Sequence, residues 1–331
     1  MDPHKHHTRA EPRTHRHVSS SPSSKPHGQD LWIFAYPEMQ SMADGVRQAL
    51  DLADDNEEGP LVVARRGDIK WGRFPDSFPN LFIDKPHQTV RGKHLVFFAS
   101  FFHPESMFAQ LSGTMERVDE EGQIATAMSL ARLLSSIPPL GEGPAKVLIY
   151  DIHALGERFY FGDNIIPMFE TAIPLIIDKI KTAHRDENVA IAFPDEGAIK
   201  RFGGQFHEFD TILCSKVRGE GNKRIVTVKE GDAAGRHVFI IDDLVQTGGT
   251  LIECKNALIK QGAKDVSAYV THAIFPGDSW KRFTDPTDEK PFKNFYITDS
   301  CPSVAATLQD TKPFAVLPLA EPISAFLREI A

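Results

Sequence analysis

Residues 237–251 read HVFIIDDLVQTGGTL, and their order decides the fold. The apolar run at 238–241 has the composition of a strand buried on both faces, as in a parallel sheet. Two acids follow, Asp242 and Asp243, then Gln246, Thr247, Gly248, Gly249 and Thr250, then a stretch of helical period. Two glycines let backbone N–H groups point inward with no Cβ in the way, the threonine hydroxyls add donors, and the helix presents its positive end. That is a seat for a phosphate monoester. No lysine follows the glycines, so the donors suit a sugar phosphate better than a nucleoside triphosphate gripped in Walker fashion. Asp242 and Asp243 can accept from vicinal hydroxyls, and ribose 5-phosphate satisfies both halves of the description. A bare TGGT is more often a helix N-cap, and Asp-Asp before Gly-Gly is common turn chemistry. Strand, acid pair, loop and helix in this order favour the ligand site.

Outward from that stretch, short β-branched or aromatic runs alternate with helical-period segments, which predicts an α/β fold of parallel sheets flanked by helices, in two similar halves. Strands are expected at 32–35, 61–64, 95–102, 146–151, 189–193, 211–215, 237–242, 265–272, 294–298 and 315–317. Helices are expected at 41–51, 122–135, 165–183, 249–261 and 322–330. Asp151, Asp195 and the 242–243 pair each stand at or just past the carboxyl end of a strand, where ligands of open α/β sheets bind.

Composition narrows the function. The 331 residues carry 37 Lys and Arg against 45 Asp and Glu, a net charge of -8, so no global positive field favours nucleic acid. Cys214, Cys254 and Cys301 are far apart in sequence and form neither a metal pair nor an even disulfide set, which predicts reduced thiols and a cytoplasmic protein. The longest apolar stretch, 95–102, is well short of the ~18 residues of a membrane span, and no signal-peptide pattern is expected at the start. Residues 1–30, rich in Ser, Pro, Arg and His, read as a disordered arm.

The loop stretch resembles the phosphoribosyl pyrophosphate motif shared by type I phosphoribosyltransferases and ribose-phosphate pyrophosphokinases. DIHALGERFYFGD at 151–163, AFPDEGAIKRF at 192–202 and SKVRGEGNKRIV at 215–226 resemble the pyrophosphokinases. KWGRFPDSFPNLFI at 70–83, YVTHAIFP at 269–276 and ITDSC at 297–301 extend the resemblance to the plant-type (class II) branch. It implies that ribose 5-phosphate and ATP yield 5-phosphoribosyl 1-diphosphate and AMP, with Mg²⁺ as cofactor, His153 and Asp195 associated with the metal, and His153 also counted as catalytic. By the same resemblance Lys216 and Arg218 close over the triphosphate, Asp242 to Thr250 hold the sugar phosphate, Phe74 and Asp76 hold adenine, and Arg117 meets the ATP phosphates. Alone, His153 reads as an ordinary hydrogen-bonded histidine, Lys216 and Arg218 as a solvated loop, and Phe74 as core. The adenine segment implies a homo-oligomer, or a hetero-oligomer with related subunits, and no nucleic-acid or membrane partner.

The implied domains are an ATP-side domain at 31–164, a ribose 5-phosphate-side domain at 165–302, both phosphoribosyltransferase-like, and a C-terminal segment at 303–331 packing back on the first. Gln246 stands where phosphate-activated (class I) members carry Asp, in agreement with the plant-type branch. Residues 103–112 replace a longer stretch of the family that includes a strand. Helix 122–135 would then cross over directly from strand 95–102 to strand 146–151, in a first domain one strand short. Two alternatives follow, an active enzyme with a rearranged domain or a catalytically weak paralogue that binds and regulates active subunits. A phosphoribosyltransferase that joins a base ranks last, because it does not need the SKVRG pair.

Overall fold

The computed structural model describes residues 29–54, 62–76, 79–83, 85–90, 92–99, 121, 126–137, 143–218 and 224–330. The expected disordered arm, apart from its last two residues, lies outside them, as do the short join at 103–112 and Arg117.

The first half opens with β1 (Gln29–Ala35), α1 (Gln40–Asp54) and β2 (Val62–Arg66), then a hairpin of β3 (Ile69–Arg73) and β4 (Pro79–Ile83), the short α2 (Pro86–Thr89) and β5 (His94–Phe98). β1 is the centre of a parallel three-stranded sheet in the order β2-β1-β5. Met42, Val46 and Leu50 recur along α1 at helical spacing and bury one face on Leu31, Ile33 and Ala35. α3 (Thr126–Ser135) leads to β6 (Ala145–Tyr150), which pairs in parallel with β7 (Ile165–Glu170).

That pairing corrects two expectations. Residues 165–170 are a strand and not the start of a helix, which begins only at α4 (Ile173–Ala183). The β-branched pair Ile165–Ile166 and Pro167 favour an extended chain, and Pro174 suits the first turn of a helix. Among the described residues β5 and β6 do not pair, so α3 does not cross between neighbouring strands. β5 takes its ladder from β1, and β6 takes its ladder from β7.

The second half is one seven-stranded sheet in the order β10-β9-β8-β11-β12-β13-β14. Its strands are β8 (Val189–Phe193), β9 (Asp210–Arg218), β10 (Arg224–Glu230), β11 (His237–Val245), β12 (Asp265–Ala273), β13 (Phe295–Thr298) and β14 (Phe314–Leu317). All neighbours are parallel except β9 and β10. Alternation along β11 divides the core. Val238 and Ile240 face α6 (Gly249–Lys260), whereas Phe239 and Ile241 face α4 and α5 (Glu196–Phe202). Each such buried side chain contributes ~1.5–3 kcal/mol. After α7 (Pro302–Leu308), α8 (Ala320–Ile330) returns to the first half, where Ile323 and Leu327 join the core of α1.

At the amino ends of the strands lies a polar cluster that the sequence did not announce. His184 Nδ1 is 3.2 Å from Glu187 Oε1, the other Glu187 oxygen meets His237 Nδ1, and Lys293 Nζ donates to both carboxylate oxygens at 3.2 and 3.3 Å. Burial raises the Glu187 carboxyl, but the bonds from His237, His184 and Lys293 outweigh it and hold the group down at about 2.

Candidate active site

Asp242 and Asp243 stand at the carboxyl end of β11, beyond its last residue paired with β8, Ile240. Asp243 is buried, with Oδ2 2.5 Å from His153 Nδ1 and Oδ1 3.1 Å from Arg201 Nη2. Arg201 also reaches Asp242 Oδ1 at 3.6 Å and donates through Nη1 to the His153 carbonyl at 2.8 Å. Asp195 caps α5 by accepting from the Ala198 N–H at 3.0 Å. Gly197 leaves room for this convergence, since a Cβ there would stand 3.1 Å from Asp195 Oδ1 and 4.0 Å from Arg201 Nη1. The structure therefore gathers His153, Asp242 and Asp243 around one guanidinium, with Asp195 at the head of the helix that carries it.

Sequence reasoning missed Arg201, although its signal lay in AFPDEGAIKRF. Residues 197 and 201 share a helix face one turn apart, which returns the arginine to the strand end that bears Asp195. Burial pushes the Asp242 carboxyl well above its usual range, helped by the charges of Asp243 and Asp195 and opposed by Arg201. For Asp243 burial also acts upward, but the His153 hydrogen bond and the Arg201 charge prevail and lower it. Three carboxylates beside one guanidinium form an excess of oxygen donors and negative charge, which fits a hard divalent cation such as Mg²⁺.

His153 is set in place by a seam between the halves. Asp151 is buried and left-handed, at φ 43°, a region Asp tolerates better than most residues. Its Oδ2 accepts from Thr271 Oγ1 at 2.6 Å and from the Ala172 N–H at 2.9 Å. His272 Nε2 lies 2.8 Å from the Tyr150 carbonyl, and its Nδ1 lies 3.0 Å from Ser300 Oγ. YVTHAIFP and ITDSC thus supply Thr271, His272 and Ser300 to the seam that aims DIH at the acid pair.

The turn Gln246–Gly248 leads from β11 into α6, whose first residues are Gly249 and Thr250. Gly248 has φ +76°, and a Cβ on it would come within 2.2 Å of the Phe283 ring, so glycine is required twice over. No side chain caps α6 from Gly248, the residue before its first turn. Lys216 and Arg218 are on β9, opposite Val226 and Arg224 of β10. Phe74 is 49% exposed just past β3, with exposed Asp76 in the turn that follows. The hairpin carrying them is tied to β1 by the Trp71 Nε1 bond to the Ala35 carbonyl, 3.0 Å. Cys214 and Cys254, distant in sequence, have their sulfurs 3.3 Å apart inside the second core, and all three cysteines are free thiols.

A parallel sheet with an acid pair and a glycine turn at the carboxyl end of its central strand defines a phosphoribosyltransferase-type protein. The model of the phosphoribosyl transferase domain matches residues 167–299. The chain is 48% identical to ribose-phosphate pyrophosphokinase 3, chloroplastic, of Oryza sativa subsp. japonica, over 81% of this chain and 72% of that one. It is 45% identical to ribose-phosphate pyrophosphokinase 3, mitochondrial, of Spinacia oleracea, over 94% and 79%. The crystal structure of phosphoribosylpyrophosphate synthetase from Mycobacterium smegmatis superposes with a TM-score of 0.71 at 19% identity, over 91% of this chain and 99% of that one, a likeness of fold. The chain belongs to the ribose-phosphate pyrophosphokinase family, and its affinity is with the plant-type branch. Among the described residues no helix is long and apolar enough to cross a membrane.

Proposed function

We propose that the chain is a ribose-phosphate diphosphokinase, transferring the β,γ-diphosphoryl group of ATP to the C1 hydroxyl of ribose 5-phosphate and releasing AMP. The observation that carries the reading is the meeting of His153 with Asp243, which sets the acid pair beside the phosphate-binding loop under a group from the other half. The regulatory alternative is disfavoured by the relatives, which are named as pyrophosphokinases.

In this proposal the amides and hydroxyls of residues 246–250 hold the 5-phosphate, and Asp242 and Asp243 accept from the ribose hydroxyls. Asp195 and His153, beside Asp243, would hold Mg²⁺, which when bound offsets phosphate charge. Lys216 and Arg218, on the part of β9 that runs beyond its ladder with β8, neutralise charge that grows between the β-phosphorus and its leaving group. Phe74 supplies a stacking face for adenine and Asp76 reads its edge, with Arg117 on the ATP phosphates. The exposed hairpin serves a neighbouring subunit, so the active form is an oligomer. The divisions after residues 30, 164 and 302 remain the proposed domain plan, although β7 pairs with β6 across the second. The location proposed is cytoplasmic.

Incubation of the purified protein with ribose 5-phosphate and Mg-ATP, followed by separation of nucleotides, tests the activity. Stoichiometric AMP and 5-phosphoribosyl 1-diphosphate are expected. No AMP under conditions that suit a plant relative would reject it.

A further inference from the structure

The sugar-phosphate loop is braced from behind by one short segment, the 3-10 turn Pro276–Phe283 that follows β12. Ser279 Oγ donates to the Gln246 carbonyl at 3.0 Å, and Arg282 Nη1 donates to the Thr247 carbonyl at 2.7 Å. In a planar trans peptide the carbonyl of one residue and the N–H of the next point in opposite directions. Holding the Gln246 and Thr247 carbonyls therefore turns the Thr247 and Gly248 N–H groups away from the brace, toward the open side of the loop. The Phe283 ring closes the back of Gly248, where no Cβ would fit.

The brace is itself held firmly. Phe275 and Asp278 have left-handed backbones at φ 46° and 58°, costly for side-chain-bearing residues and kept only where surroundings over-determine the chain. Here Phe275 packs on Phe283, Phe295 and Phe314, with ring centroids 5.6, 6.1 and 5.7 Å away. Lys255, buried on α6, pairs with Asp288 and donates to the Lys290 carbonyl at 2.7 Å, fixing the chain just beyond the turn.

We infer that Arg282, with Ser279, is a positioning residue for the sugar-phosphate subsite, orienting the Thr247 and Gly248 amides toward the 5-phosphate without itself touching substrate. The inference rests on the function proposed above and assigns to segment 276–283 a role in selecting a phosphorylated sugar. Pre-aimed donors hold an anion without the cost of ordering the loop on binding.

The test is steady-state kinetics of Arg282→Gln, Arg282→Lys and Ser279→Ala with both substrates varied, together with calorimetric titration of ribose 5-phosphate. The glutamine variant is expected to raise KM for ribose 5-phosphate about tenfold while KM for ATP stays within about twofold. The lysine variant, which keeps the positive charge and a donor, is expected to recover part of that loss. Equal changes in both KM values, or no change in either, would overturn the inference and leave the activity standing. Should the wild type make no AMP, the activity fails, and calorimetry alone decides the brace: weaker binding of ribose 5-phosphate by the glutamine variant supports it, and equal or absent binding in both proteins overturns it.

Discussion

His153 Nδ1 lies 2.5 Å from Asp243 Oδ2, and this contact joins the first half of the chain to the acid pair of the second. Residues that act as one unit lose function together, so their substitutions are not additive. His153→Ala and Asp243→Asn should each lower kcat/KM by about 10²-fold, and the double variant should fall little further. A full kinetic cycle measures this, and losses that simply multiply would show that the two act apart.

Lys216 and Arg218 are on the β9–β10 ribbon, whereas the phosphate loop belongs to the turn after β11. Lys216→Ala or Arg218→Ala should lower kcat by about 10²–10³-fold with ribose 5-phosphate binding nearly intact. Gly248→Val should weaken ribose 5-phosphate first, because its side chain meets the Phe283 ring. Titration of each variant with that ligand separates the classes, and identical behaviour would refute the division of roles.

Thr271→Val removes a hydroxyl donor from buried Asp151 and adds nothing in its place. A loss of about 1–3 kcal/mol is expected from the under-served carboxylate. Turnover should also drop, because Asp151 sets the chain direction two residues before His153. Urea unfolding monitored with activity checks both, and an unchanged midpoint would count against the seam.

Acid should weaken the fold through the Glu187 cluster. The carboxyl is held at about 2 in the folded chain, from an ordinary 4.5, so its contribution is full above 4.5 and disappears as pH falls through about 2. Burial lowers His237 below its ordinary 6.5 despite its bond to Glu187, so the unfolded chain takes up that proton first and stability falls below pH 6.5 as well. Glu187→Gln should flatten the decline of Tm below pH 4.5. Parallel curves for the two proteins over pH 7 to 3 would contradict this.

Much of this was legible in the sequence. The apolar run before Asp242 and the TGGT turn announced strand, loop and helix because each is written in adjacent residues. Six of the seven strands of the second sheet were legible for the same reason, within a few residues at each end, whereas β10 was missed, because its charged, alternating residues 224–230 become a strand only by pairing with β9. Arg201, Thr271 and His272 were not, since their roles arise from contacts across scores of residues. The stretch 165–170 was misread because an apolar run that opens into a helix has no periodicity of its own, and only its partner β6 makes it a strand. The hairpin of β3 and β4 escaped notice in its exposed, mixed composition. The nearness of Cys214 and Cys254 is a product of helix-on-sheet packing that spacing cannot reveal.

β11 carries His237 at one end and Asp243 at the other, about 20 Å apart for six residues of extended chain. Sensitivity to acid and the proposed handling of substrate thus stand on opposite margins of one sheet. Engineers could tune the lower margin for harsher media and leave the upper one, with its chemistry, undisturbed.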